Sequence, residues 1–160
     1  MSCTRPSRAL LVVPALLACV AVPTDASAQS VSEAIDDVLE WLDQGYQLIP
    51  ELGQWGLVFG WFVEGEEKEI RFNVTAGQSY MLAGGGDEKS EDLDICVYDQ
   101  FGDEIECDVL TDNFPLVSFT AGFSGTFRAV LTAYSLSGST SYAGMAVLRK
   151  NQPPAPDSGS

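Results

Sequence analysis

Beyond Gln54 the sequence alternates. Ile70, Phe72 and Val74 are separated by Arg71 and Asn73, and Leu93, Ile95 and Val97 by Asp94 and Cys96. A period of two sends successive side chains to opposite faces of an extended chain, so these stretches predict half-buried strands and not helices. Residues 57–63, 79–82, 105–110, 126–134 and 141–149 add further runs rich in aromatic and β-branched side chains, and Val117 and Phe119 alternate with Ser118 and Thr120. Gly65-Glu66-Glu67, Ala76-Gly77-Gln78, residues 99–103 and residues 122–125 supply turn chemistry between them. About seven or eight short strands at regular spacing predict an all-β fold, an antiparallel β-sandwich over residues 54–149.

The chain ahead of it reads differently. Arg5 and Arg8 precede an apolar run over residues 9–22, Pro23 breaks it, and Ala26-Ser27-Ala28 offers a small-x-small cleavage pattern. Residues 1–28 therefore read as a secretory signal peptide, too short in its apolar part to anchor as a membrane span. The alternative is a lipid anchor: Leu16-Leu17-Ala18-Cys19 resembles the acylation motif that would leave Cys19 as the first residue. Residues 29–53 read as a helix and linker. Ser30-Val31-Ser32-Glu33 fits a capping box, Val31, Ile35, Val38, Leu39 and Leu42 recur at helical spacing, and Gly45 is a plausible stop. This short N-terminal amphipathic helix must pack on something. Residues 150–160 carry three prolines and read as a flexible tail.

Charge and composition exclude several functions. The chain has 23 acidic and 8 basic residues, a net charge of -15 and no histidine. Without histidine, no Ser-His-Asp or Cys-His nucleophile and no His-ligated metal centre can be assembled. The acidic balance argues against nucleic acid, whose phosphates bind clustered Lys and Arg. Export would remove Cys3 and Cys19 and leave Cys96 and Cys107, a pair that reads as a disulfide in an oxidising compartment. They bracket a hairpin around Phe101-Gly102, and a two-residue loop there would set 96 opposite 107. The core pattern prefers another register, with Ile105, Cys107 and Val109 meeting Leu93, Ile95 and Val97; a bulge at Gly102 would reconcile the two.

Residues 87–112 hold eleven carboxylates against Lys89 alone. Such crowding is costly by mutual repulsion, and a calcium ion, which accepts six to eight oxygens in irregular geometry, would relieve it. The candidate ligands are Asp87, Asp92, Asp94, Asp99 and Asp103, with the Gly84-Gly85-Gly86 backbone free to approach the ion. Asp92 and Asp94 would project to one side of a strand. The competing reading is a solvated acidic face that keeps the protein soluble. Paired carboxylates could also serve glycoside hydrolysis. Trp55 and Trp61, near the first strand, read as core residues in preference to a sugar platform. The glycine triplet lacks the Lys-Ser/Thr of a phosphate loop, and no Ser-x-x-Lys motif occurs.

Four stretches in order carry a resemblance. They are Ile70-Arg71-Phe72-Asn73-Val74-Thr75-Ala76-Gly77-Gln78-Ser79-Tyr80, Asp92-Leu93-Asp94-Ile95-Cys96-Val97-Tyr98-Asp99, Gly102-Asp103-Glu104-Ile105 and Ser124-Gly125-Thr126-Phe127. Together they resemble the bacterial pre-peptidase C-terminal domain over roughly residues 54–149. The resemblance implies a jelly-roll, non-catalytic module associated with secretion, with substrate or matrix binding and, in some members, with calcium. These 160 residues hold no protease domain, and the leading helix and cysteine pair depart from the family's pattern. The resulting expectation is an exported accessory module of the periplasm or extracellular space, binding an unknown protein or polysaccharide. The rivals are a carboxylate-dependent glycan hydrolase and a subunit of an envelope complex docked through the helix.

Overall fold

A computed structural model describes residues 45–49 and 56–150, together with Asp36 and Leu39. Among the described residues nine strands follow one another: β1 (Tyr46–Leu48), β2 (Leu57–Phe62), β3 (Glu67–Val74), β4 (Ser79–Gly86), β5 (Ser90–Tyr98), β6 (Glu104–Asp108), β7 (Leu116–Thr120), β8 (Gly125–Leu136) and β9 (Ser141–Lys150). All pairings are antiparallel. The first sheet runs β9-β4-β7, with β1 and β2 sharing the outer edge of β9; the second runs β3-β8-β5-β6. From β2 onward the chain crosses between the sheets at every step except β5 to β6, which is a jelly-roll arrangement.

Asp36 and Leu39 are helical. The rest of the predicted helix, the signal peptide with Cys19, Trp55 and residues 151–160 lie outside the described residues. Two boundaries move. Strand β1 falls within the stretch read as helix and linker, and Lys150 belongs to β9 and not to the tail.

The alternation works as anticipated in β3 and β5. Ile70, Phe72 and Val74 point inward from one strand, and Leu93, Ile95 and Val97 from the other. They meet Leu82, Val117, Phe127, Leu131, Met145 and Val147 in one core between the sheets. Burying each such side chain contributes about 1.5–3 kcal/mol. Stacked and tilted rings stiffen this core: Phe119 lies 5.7 Å from Phe127, which lies 6.5 Å from Phe72. The first sheet is apolar on its other face too, where Met81, Ala83, Ala146 and Leu148 cluster with Leu57, Phe59 and Leu116.

Two expectations need correction. The backbone of Gly84, Gly85 and Gly86 is not free to approach an ion. They lie within β4 and pair with Met145, Gly144 and Ala143 of β9, so the ladder engages their backbone. Their small size serves packing instead: a Cβ at Gly84 would stand 2.7 Å from Pro115 Cγ. Trp61 is not a core residue. It is 47% exposed and sits edge-on to Tyr142 at 5.4 Å.

Candidate functional site

Strand β5 organises the candidate chemistry, because it carries the buried apolar row on one face and Asp94, Cys96 and Tyr98 on the other. It begins at one end of the sandwich (the proximal end, with loops 87–89 and 109–115) and finishes at the other (the distal end, with loops 99–103 and 121–124).

Cys96 and Cys107 face each other directly across β5 and β6, joined by a 2.04 Å S–S bond. The register conflict is resolved by a bulge, but not at Gly102. The hairpin loop is tied by the Asp99–Asp103 backbone pair, with Gly102 at φ 92, and the register shifts between Val97 and Tyr98 so that Ile105 is the extra residue. Ile105 packs against the core while Val109 is 67% exposed. This choice puts Asp108, not an apolar side chain, opposite Ile95. Asp108 is accommodated at the sheet edge because Oδ2 accepts the Leu116 N–H at 2.7 Å and Oδ1 the Leu110 N–H at 3.1 Å.

The five carboxylates predicted to share an ion do not share one place. Asp99 and Asp103 lie in the distal loop, roughly 20 Å along β5 from Asp92 at about 3.3 Å per residue. Asp99 is buried, and its Oδ1 accepts the Phe101 and Asp103 N–H groups at 2.7 and 3.0 Å, which shapes the turn. Asp103 is exposed. Asp87 is at the proximal end and fully buried. Its Oδ1 accepts Ser141 Oγ–H at 2.6 Å and Lys89 N–H at 3.1 Å, and Oδ2 accepts Tyr142 N–H at 3.1 Å. With its own N–H on Tyr142 O, Asp87 fastens the β4–β5 turn to the start of β9. Ser90 completes this network by bonding Ser141.

Asp92 and Asp94 behave otherwise. A local irregularity in the β5–β8 register breaks the alternation at Asp92, which is 8% exposed beside fully buried Leu93. Oδ1 of Asp92 and Oδ1 of Asp94 are both buried and accept no hydrogen bond. Buried polar atoms are nearly always satisfied, and a desolvated carboxylate oxygen with no donor costs free energy. Burial pushes the Asp94 carboxyl above its ordinary value of 3.8, and the charges of Asp92 and Asp108 push it further the same way. Loop 109–115 lies against this pair, since the Leu93 N–H donates to the Asp112 carbonyl at 2.8 Å. That loop exposes Val109, Leu110 and Phe114.

Among the described residues, the one set of three metal-type ligands within 4.8 Å of each other is Cys96, Glu104 and Cys107, and its sulfurs are consumed by the disulfide. An ion at Asp92 and Asp94 would therefore have two side-chain carboxylates and would complete its shell from backbone oxygens and water. The sequence singled out both residues. It did not distinguish them from Asp87, whose donors Ser141 and Tyr142 only tertiary structure brings near, or from Asp99, whose donors Phe101 and Asp103 belong to its own turn. No helix among the described residues is long and apolar enough to cross a membrane.

No family model matches the chain, and no curated protein does. Among solved structures, it is similar to the crystal structure of Aeromonas hydrophila PliG, a periplasmic lysozyme inhibitor of g-type lysozyme. The identity is 14%, 59% of this chain and 84% of that chain are covered, and the TM-score is 0.45.

Proposed function

We propose that the chain is an exported, non-catalytic recognition module, of the kind the pre-peptidase C-terminal resemblance implies, whose proximal end is ordered by a calcium ion at Asp92 and Asp94. The observation that carries this reading is the pair of buried, unpartnered Oδ1 atoms on neighbouring carboxylates. A divalent cation would satisfy both and would offset the burial, and the charges of Asp92 and Asp108, that raise Asp94. Calcium suits the site because it tolerates irregular oxygen shells, and few side-chain carboxylates place its affinity near the 10⁻⁴–10⁻³ M of extracellular modules. Bound there, it would hold loop 109–115 against β5 and present Val109, Leu110 and Phe114 to a protein or polysaccharide partner. The Cys96–Cys107 disulfide supports an oxidising compartment.

The test is thermal unfolding of the wild type and of Asp92→Asn and Asp94→Asn in chelator and in millimolar calcium. The wild type should gain stability, as any native-state ligand requires, and the variants should not. An unchanged wild-type transition removes the ion from the account.

A second reading, a glycan hydrolase, draws on the same pair, since a carboxyl raised by burial beside a second carboxylate is how such enzymes set up a general acid. It requires sugar access to atoms that are buried here. Screening Asp92 and Asp94 alanine variants against polysaccharides separates the two, because the hydrolase must lose turnover without unfolding.

A further inference from the structure

The described residues hold six cationic side chains, and two of them stand directly opposite one another, Arg71 on β3 and Arg128 on β8. Like charges in that position repel, so their pairing on so acidic a chain calls for an anion. Glu69 supplies one carboxylate, taking Arg71 Nε at 3.2 Å and Arg128 Nη1 at 3.5 Å. One carboxylate leaves the pair with a net positive charge, and the remaining guanidinium N–H groups have no partner among the described residues. Arg128 is held in place by the Tyr98 ring, 4.6 Å beneath its guanidinium carbon.

Toward the distal end, the next row is neutral and polar. Thr126 donates its hydroxyl to Asn73 Oδ1 at 2.9 Å and keeps its lone pairs for a further donor. The Gln100 amide lies over Gly125, where a Cβ would stand 2.7 Å from its Oε1. The Phe101 ring, 75% exposed, rises beside it and leans on Phe123 at 6.1 Å. Arg71, Arg128, Gln100, Phe101 and Thr126 line one pocket of about 290 Å³. Asp99 also borders it, but its Oδ1 is turned onto backbone N–H groups.

We propose that this pocket binds an acidic sugar of the uronate type. The carboxylate would take the free fork of Arg128 with Arg71, as guanidinium geometry favours. The ring hydroxyls would meet Gln100 and Thr126, and the sugar's apolar face would lie on Phe101. This gives the recognition module proposed above a ligand class and rests on that reading. It is independent of the ion, which would sit at the opposite end of β5.

The test is calorimetric titration of the whole protein with trigalacturonate, its methyl ester and pentaglutamate, in chelator. Trigalacturonate should bind, and the ester and the peptide should bind at least about tenfold more weakly, because only the acid form of the sugar offers both a bidentate oxyanion and hydroxyls. Arg128→Lys, which keeps the charge and loses the fork, should weaken binding about tenfold at unchanged melting temperature. Glu69→Gln should tighten it by removing the internal competitor, a gain that a purely structural role for Glu69 would not produce. No binding of trigalacturonate, equal binding of the ester or of pentaglutamate, or indifference to Arg128→Lys each overturns the proposal. Asp92→Asn/Asp94→Asn should bind the sugar like wild type, so loss of calcium binding and loss of sugar binding are separately visible.

Discussion

Asp108 on β6 accepts the Leu116 N–H of β7 at 2.7 Å, a bond from the edge of one sheet to the edge of the other. It exists because the disulfide register turns Asp108 toward the core side of its strand, where an acid must find donors. Asp108→Ala removes acceptors for Leu116 and Leu110 together and should cost about 1–3 kcal/mol in denaturant unfolding. Hydrogen exchange at the Leu116 amide should accelerate more than the global change explains.

Replacing Cys96 and Cys107 by alanine should cost about 3 kcal/mol, the loop-closure value for a loop of this size. The loss should be matched by reducing the wild type under the same conditions, and fluorescence-monitored denaturation measures both.

Asp87 is surrounded by donors on both oxygens, so an amide cannot replace it without turning an NH₂ group toward one of them. Asp87→Asn should therefore destabilise by about 2–4 kcal/mol, approaching Asp87→Ala. A neutral effect of Asp87→Asn would mean that the carboxylate is not the anchor of the β4–β5 turn.

The pH dependence of Asp94 has a definite sign. Its folded pKa lies above its unfolded value, so the native state holds the proton more tightly and stability from this group falls as pH rises from 3.8 through the folded value. Without calcium, Asp94→Asn should be at least as stable as wild type at neutral pH and should flatten this part of the profile. Calcium should invert the order by stabilising the wild type alone. Urea midpoints between pH 4 and 8 give the comparison.

Much of the fold was legible because a half-buried strand writes its burial into alternation. Leu93, Ile95 and Val97 declare their inner face, and the Cys96 and Cys107 positions declare the hairpin. What escaped was set by partners distant in sequence. The Gly84-Gly85-Gly86 backbone read as free to approach an ion because nothing local reveals its pairing with β9 or Pro115 pressed against Gly84. Strand β1 has three residues and owes its extended form to β9, about a hundred positions away. Asp87 and Asp92 look alike in the sequence; Ser141 and Tyr142 satisfy one, and Oδ1 of the other accepts no hydrogen bond. The Arg71–Arg128 pair needed the β3–β8 register to be seen at all.

Calcium titration by calorimetry tests the central claim most directly. Wild-type protein should bind one ion with a dissociation constant of about 10⁻⁴–10⁻³ M, and both Asp92→Asn and Asp94→Asn should abolish the signal while remaining folded. Absence of binding by the wild type, or unaltered binding by both variants, would contradict the account.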